Sequence, residues 1–142
     1  MTPQQTAEQV RQQLYERDHA AQHLGMAVTA IGPDSASVMM TVAAHMLNGH
    51  AICHGGLIAT LADTAFAYAC NAGNQMTVAS GFAIELLAPA RLGEVLTASA
   101  TEVSRKGRTG VYDVEVRNAE GDHVAAFRGR SYAIKGRPAV GE

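Results

Sequence analysis

The chain has no hydrophobic run long enough for a membrane. Asp63 and nearby threonines interrupt the best candidate well short of the ~18 residues a span needs. It has no excess of one charge either: a formal net charge of −2 offers no field for broad nucleic-acid binding. Neither nucleic acid nor membrane is therefore expected as a partner. The N-terminus, with Gln4, Gln5, Glu8 and Gln9, lacks the charged-then-apolar order of a secretory signal. Cysteines number only two, which fits the cytoplasmic location this reading expects. There is no Gly-x-Ser-x-Gly elbow and no serine near the central apolar stretch before Ser80, so a Ser-His-Asp hydrolase finds no support. His45, His50, Cys53 and His54 crowd one segment, but their spacing matches no structural zinc pattern. Gly107 lies in a basic turn without the Gly-Lys-Thr/Ser ending of a phosphate-binding loop. No repeat, low-complexity tract or linker divides the chain, so one domain over residues 1–142 is expected.

What is present is dominated by the stretch from His54 to Gly73. It is the longest run of helix-forming apolar residues, and Gly73 is a stop signal. A helix over 55–72 is expected, roughly 25 Å long at ~1.5 Å per residue. Leu57, Ile58, Leu61, Ala62, Ala65, Phe66, Tyr68 and Ala69 cover most of its circumference, as on a core helix enclosed on several sides. Thr60, Asp63, Thr64 and Asn71 instead share one stripe, with Ala67 among them. Such a helix would hold Cys53 and Cys70 roughly 20–25 Å apart, while a disulfide needs Cα atoms within about 7 Å. An intrachain bridge is excluded.

Around this helix the chain reads in order. Residues 4–23 form a polar amphipathic helix with Val10, Leu14 and Tyr15 on a thin apolar face, ended by Gly25. Met26–Ile31 and Ala36–Ala43 flank the turn residues Gly32-Pro33-Asp34 and read as a hairpin. His45–His54 is a loop leading into the helix. Four strands follow, over Met76–Leu87, Glu94–Ser104, Gly110–Asn118 and His123–Ile134, with a loose tail over 136–142. In the third of these, Val111, Asp113 and Glu115 alternate with Tyr112, Val114 and Val116, which gives one solvated face. Strands joined by links this short run antiparallel. Their apolar face needs a cover, and only the central helix is long and apolar enough to supply it. The expected class is α+β: a curved antiparallel sheet wrapped round one long helix, the hotdog architecture, with an added N-terminal helix.

Two features of the helix carry chemistry. Gly55-Gly56 at its start leaves backbone N–H groups free beside the positive end of the dipole, which suits an anion or an oxygen becoming anionic. A tight loop-to-helix junction would also use those glycines. Asp63 is either a structural carboxylate, paired with an arginine or bonded to Thr60 or Thr64, or a base or nucleophile tuned by burial. Gly55 and Asp63 stand eight residues apart, about 12 Å along the axis, so one carbonyl cannot touch both in one chain. Cooperation between them requires two antiparallel copies of the helix about a twofold axis. Arg105, Lys106 and Arg108 form the densest basic patch, either a solvated turn or a hold for phosphates.

Asn48-Gly-His-Ala-Ile-Cys-His54-Gly-Gly-Leu, followed by Leu61-Ala-Asp63-Thr-Ala-Phe-Ala-Tyr-Ala-Cys-Asn71, resembles the hotdog-fold acyl-CoA thioesterases, and most closely the PaaI type of phenylacetate degradation. The similarity runs from about Gly25 to Ile134. It implies hydrolysis of an aryl-acetyl-CoA thioester to acid and CoA, without metal or organic cofactor, in a homodimer that pairs into a homotetramer. It gives Asp63 the role of general base or nucleophile, and the Gly55 N–H that of polarising the carbonyl. Asn48 positions water or leaving group, and His54 supports the loop. Gly56, Thr64, Ala67 and Ser80 are expected at the substrate, as are Arg105, Lys106 and Arg108 at the CoA phosphates. Some relatives carry a hydroxyl residue one turn after the carboxylate, where this chain has Ala67; others use a serine on the next strand, where Ser80 falls one residue out of phase. A hotdog hydratase or dehydratase and a non-enzymatic acyl-CoA-binding module are the alternatives.

Overall fold

The computed structural model describes residues 1–141. Thr2 opens the chain with a capping box: its hydroxyl accepts from the Gln5 N–H at 3.1 Å while the Gln5 side chain accepts from the Thr2 N–H at 2.9 Å. Helix α1 then runs Pro3–Tyr15, with Pro3 in the first turn, where its missing N–H costs nothing. The single helix expected over 4–23 is in fact two. The Asp18 carboxylate accepts from the Ala21 N–H at 3.2 Å and starts a short helix α2, His19–His23. Ala7 and Val10 are fully buried, so α1 is pinned to the core by the thin apolar face the sequence predicts.

Strands β1 (Ala27–Gly32) and β2 (Ser35–Thr41) form the expected hairpin. Helix α3 spans Gly55–Asn71, with Ala72 as its C-cap rather than its last residue. After it come β3 (Thr77–Leu86), β4 (Val95–Lys106), β5 (Thr109–Arg117) and β6 (His123–Ala133). They make one six-stranded sheet in the order β1-β2-β4-β5-β6-β3, and every neighbouring pair is antiparallel. The short link between β3 and β4 is not a hairpin. It carries the chain from the β3 edge past the start of α3, where Ala90 O accepts the Cys53 N–H at 2.8 Å.

The sheet curls round α3. Leu61, Ala62, Ala65, Phe66 and Tyr68 are fully buried against it, together with Val38, Met40, Leu96, Val114 and Val116. Each large apolar side chain enclosed this way contributes about 1.5–3 kcal/mol. Phe66 sits at the centre, its ring 5.5 Å from that of Tyr112 and 5.8 Å from that of Phe127. Gly129 lies beneath it: a Cβ there would stand 2.9 Å from two atoms of the Phe66 ring.

The tail expected to be loose over 136–142 is docked as far as Val140; residue 142 lies outside the described residues. Met76 N–H donates to Arg137 O at 2.8 Å, Val140 N–H donates to the Asn74 side chain at 2.9 Å, and Val140 is buried. One flank stays uncovered. Edge strand β3 pairs Phe82 with Gly129, Ile84 with Phe127 and Leu86 with Ala125, so all three point to the helix side of the sheet. Yet Phe82 is 50% and Leu86 53% exposed.

Candidate active site

The loop before α3 is a small hairpin closed by Leu47 against Cys53. The Asn48 side-chain carbonyl accepts from the His50 N–H at 2.9 Å, and Ala51 takes a left-handed φ of 61° to complete the turn. The Asn48 amide nitrogen has no partner among the described residues, which leaves it free for a ligand. His54 is exposed and occupies the N-cap position without a side-chain cap. Its carbonyl takes the Leu57 and Ile58 N–H groups at 3.0 and 3.2 Å. The Gly55 and Gly56 N–H groups are left without acceptors among the described residues, at the positive end of a 17-residue helix. Leu86 lies over Gly55, where a Cβ would press on its flexible Cδ1.

Two turns along, Asp63 stands half-buried on a seam with Gly56, Thr60 and Ala67, none of them buried. Its carboxylate has neither an ion pair nor a hydrogen bond among the described residues. Both threonines that were candidates to hold it turn back on the helix instead: Thr60 donates to Gly56 O at 2.8 Å and Thr64 to Thr60 O at 2.7 Å. Burial pushes the Asp63 carboxyl above its ordinary value, and the nearby negative charge of Asp18 pushes it the same way. A half-buried carboxylate that nothing neutralises is suited to taking a proton.

The other expected site residues fall in three places. Thr64 is buried with its hydroxyl committed. Ser80 is the extra residue of a β-bulge between Ala79 and Gly81, and it exchanges 3.2 Å hydrogen bonds with Arg130. Arg105, Lys106 and Arg108 sit at the β4–β5 turn, near the far end of α3.

Two residues escape a reading by motif. Asp18 accepts the Tyr68 hydroxyl at 3.1 Å and brings its charge towards Asp63. Asn71, buried at the end of α3, grips both backbone groups of Thr77 at 2.9 Å and so anchors β3 to the helix. The only signal for Asp18 is its place as a cap residue inside a polar helical pattern. For Asn71 it is a polar side chain in the last turn of an apolar helix.

A curved antiparallel sheet round one helix, with free amides at the helix start and an unpaired carboxylate on its seam, is the frame of a thioester hydrolase. Residues 50–125 match the family model of the thioesterase superfamily, and the chain belongs to that superfamily. It is 47% identical over 123 residues to the acyl-coenzyme A thioesterase PaaI of Escherichia coli (strain K12), a match covering 87% of this chain and 88% of that protein. The structure of the E. coli PaaI protein from the phenylacetic acid degradation operon superposes with a TM-score of 0.93 at 44% identity, over 96% of this chain and 99% of that one. A mutant structure of the phenylacetic acid degradation protein PaaI from Thermus thermophilus gives a TM-score of 0.78 at 36% identity, over 81% of this chain and 98% of that one.

Proposed function

We propose that the protein hydrolyses aryl-acetyl-CoA thioesters, phenylacetyl-CoA or its hydroxylated derivatives, in the cytoplasm. The observation that carries this reading is the Asp63 carboxylate: half-buried, unpaired, and on the open seam of the helix whose start offers the free Gly55 N–H. Water attacks the thioester carbon as Asp63 takes its proton, and the oxyanion forms against the Gly55 N–H. Collapse breaks the C–S bond, and the departing thiolate recovers the proton. In the variant with Asp63 as nucleophile, the carboxylate itself displaces the thiolate and water then cleaves the anhydride. Neither route uses a metal or an organic cofactor. An oxyanion donor of this kind contributes about 3–4 kcal/mol. The free Asn48 amide, beside the helix start, is placed to hold the water or leaving group.

Gly55 and Asp63 lie about 12 Å apart along one helix, so each site takes its amide from one protomer and its carboxylate from the other. The uncovered edge supports such a homodimer: β3 ends the sheet, its Phe82 and Leu86 are half exposed, Leu86 lies against Gly55 at the helix start, and a second copy would cover them. Dimers then pair into a tetramer. Past Ala67, one turn beyond Asp63, a cavity of about 430 Å³ opens between Leu14, Tyr68, Met76 and Ala139. Its size and its largely apolar wall suit an aryl-acetyl group.

Free-thiol release from phenylacetyl-CoA is measured for wild type, Asp63→Asn, Gly55→Pro and an equimolar refolded mixture of the two variants. Proline at the first helical position keeps the helix and removes the N–H, while its ring displaces the flexible Leu86 side chain. Each variant alone is expected to lose about a hundredfold or more. The mixture regains about a quarter of wild-type activity, because half the dimers are mixed and each mixed dimer holds one intact site. Absence of recovery in a mixture shown to contain mixed dimers overturns the shared site. An Asp63→Asn variant as fast as wild type overturns the reaction.

A further inference from the structure

The six-stranded sheet has two edges, and they are finished differently. Edge β3 is 10 residues long, and beyond Thr77 no side chain bonds to its backbone among the described residues. Edge β1 is only 6 residues long and carries a bulge between Val28 and Ala30. Side chains of α1 occupy the carbonyls along this edge. Gln4 Nε2 donates to Ile31 O at 2.8 Å and Arg11 Nη1 to Val28 O at 3.2 Å, and the Tyr15 hydroxyl donates to Met26 O.

The spacing of helix and strand matches. Gln4, Arg11 and Tyr15 recur on one face of α1. At ~1.5 Å per residue the successive gaps between them are roughly 10 and 6 Å along the helix. At ~3.3 Å per residue the gaps from Ile31 to Val28 and from Val28 to Met26 are also roughly 10 and 6 Å. The bulge sets this register, because the extra residue at Thr29 lets Val28 and Ile31 both turn their carbonyls outward. Glu8 steadies two of the donors: it accepts from Gln4 Nε2 at 3.3 Å and pairs with Arg11 Nη2 at 2.6 Å. Ala7 and Val10, fully buried, seat the helix on the core.

A bare strand edge is a template for a further strand. A strand adding to β1 would need the carbonyls of Val28 and Ile31, and α1 holds both. We propose that α1 is an edge guard, which denies β1 to a second copy of this chain and leaves pairing to β3. Pairing through β3 alone, about a twofold axis, closes on itself. With β1 open as well, each assembly would present a further edge at either end, and growth would not stop. The guard does not depend on thioester chemistry; only the open-ended form of that growth rests on the β3 pairing proposed above.

The test is sedimentation equilibrium of the full chain over a wide range of concentration, without substrate. Wild type is expected to keep one mass. The variant Gln4→Ala/Arg11→Ala/Tyr15→Phe strips all three donors and spares Ala7 and Val10. Its mass is expected to rise with concentration about twofold or more, since each new contact joins two assemblies. Near-ultraviolet dichroism of the cluster of Phe66, Tyr112 and Phe127 reports whether it is folded. If it is not, Glu8→Ala/Arg11→Ala, confined to side chains 44% and 40% exposed, is read in its place, with the same direction expected. Adding Ala30→Lys, which puts a charge at an exposed position of the β1 edge, is expected to restore the wild-type mass. A folded variant with the wild-type mass at every concentration overturns the guard. So does growth that Ala30→Lys leaves unchanged, or growth of wild type itself that Ala30→Lys reverses. A monomeric wild type overturns the proposed homodimer and leaves the guard to be judged on the variants.

Discussion

Replacing Asp63 by Asn should make the protein inactive and more stable at once. In the folded chain the carboxyl is raised above its ordinary value of 3.8, by burial first and by Asp18 second, and no cation or donor among the described residues compensates it. A raised acid favours its protonated form. Below the ordinary value the residue therefore imposes no penalty, and as pH climbs through the raised value the folded state loses stability relative to the unfolded one. Above the raised value the loss is constant. Each unit of displacement corresponds to about 1.4 kcal/mol, and each kcal/mol to roughly 2–4 °C in Tm for a chain of this size. The neutral amide escapes the penalty. Melting curves of wild type and Asp63→Asn across pH 4 to 8.5 should thus coincide at the acid end and diverge as pH rises, with the variant higher, and then run parallel. Thiol release by the same samples should fall about a hundredfold to ten-thousandfold, the range of a lost general base. A variant that melts lower than wild type at neutral pH would show Asp63 to be a partnered structural carboxylate, and the argument from its isolation would fail.

Three further outcomes follow from the packing around this helix. Asp18→Asn keeps the cap on α2 but removes the second cause of the Asp63 shift. The acid limb of the kcat/KM profile should move to lower pH and not reach the ordinary carboxylate range; an unmoved or upward-shifted limb contradicts this. Asn71→Ala strips both backbone partners from Thr77 and should cost about 1–3 kcal/mol in urea unfolding; no change would mean that water replaces the side chain. Gly129→Ala drives a methyl into the Phe66 ring, 2.9 Å away, and should cost about 1–3 kcal/mol, with near-ultraviolet dichroism reporting the disturbed aromatic cluster. A fully stable variant would show that Phe66 has room to retreat.

Much of the fold was legible because it rests on local rules. Alternation in β5 puts Tyr112, Val114 and Val116 inside, as the sequence predicts, and turn residues bound every strand to within two positions. The misses share a cause, which is that long-range contacts overrode local pattern. Asp18 breaks a helical run because it can cap α2 and still reach Tyr68, fifty residues away. The C-terminal segment has the composition of a loose end, yet Asn74 and Met76 offer it backbone partners. The β3–β4 link has hairpin length, yet β3 pairs with β6 and β4 with β2 and β5, because the link packs against the chain entering α3 instead of turning back. Ser80 looked one residue out of phase, and the bulge at that point is the physical form of the slip.

The candidate site shows the same division. Asp63 was legible as one carboxylate on an otherwise apolar helix, and the free amides as two glycines at a helix start. Neither property needs any other part of the chain. Their cooperation is different, because helical rise alone separates them by about 12 Å. The single chain resolves that separation only by what it leaves undone. Phe82 and Leu86 stand half exposed on the β3 edge, and Asp63 is half-buried without a partner among the described residues. Exposed apolar side chains and an uncompensated charge are both unfavourable in a monomer. In the proposed dimer, a second copy turned about a twofold axis would bury the first and set its Gly55 N–H across the bound thioester from the second, which stays uncompensated until substrate binds. On this reading, the split of each site between two protomers makes catalysis dependent on dimerisation, and a monomeric variant that remains folded should release no thiol and melt lower than the assembled protein.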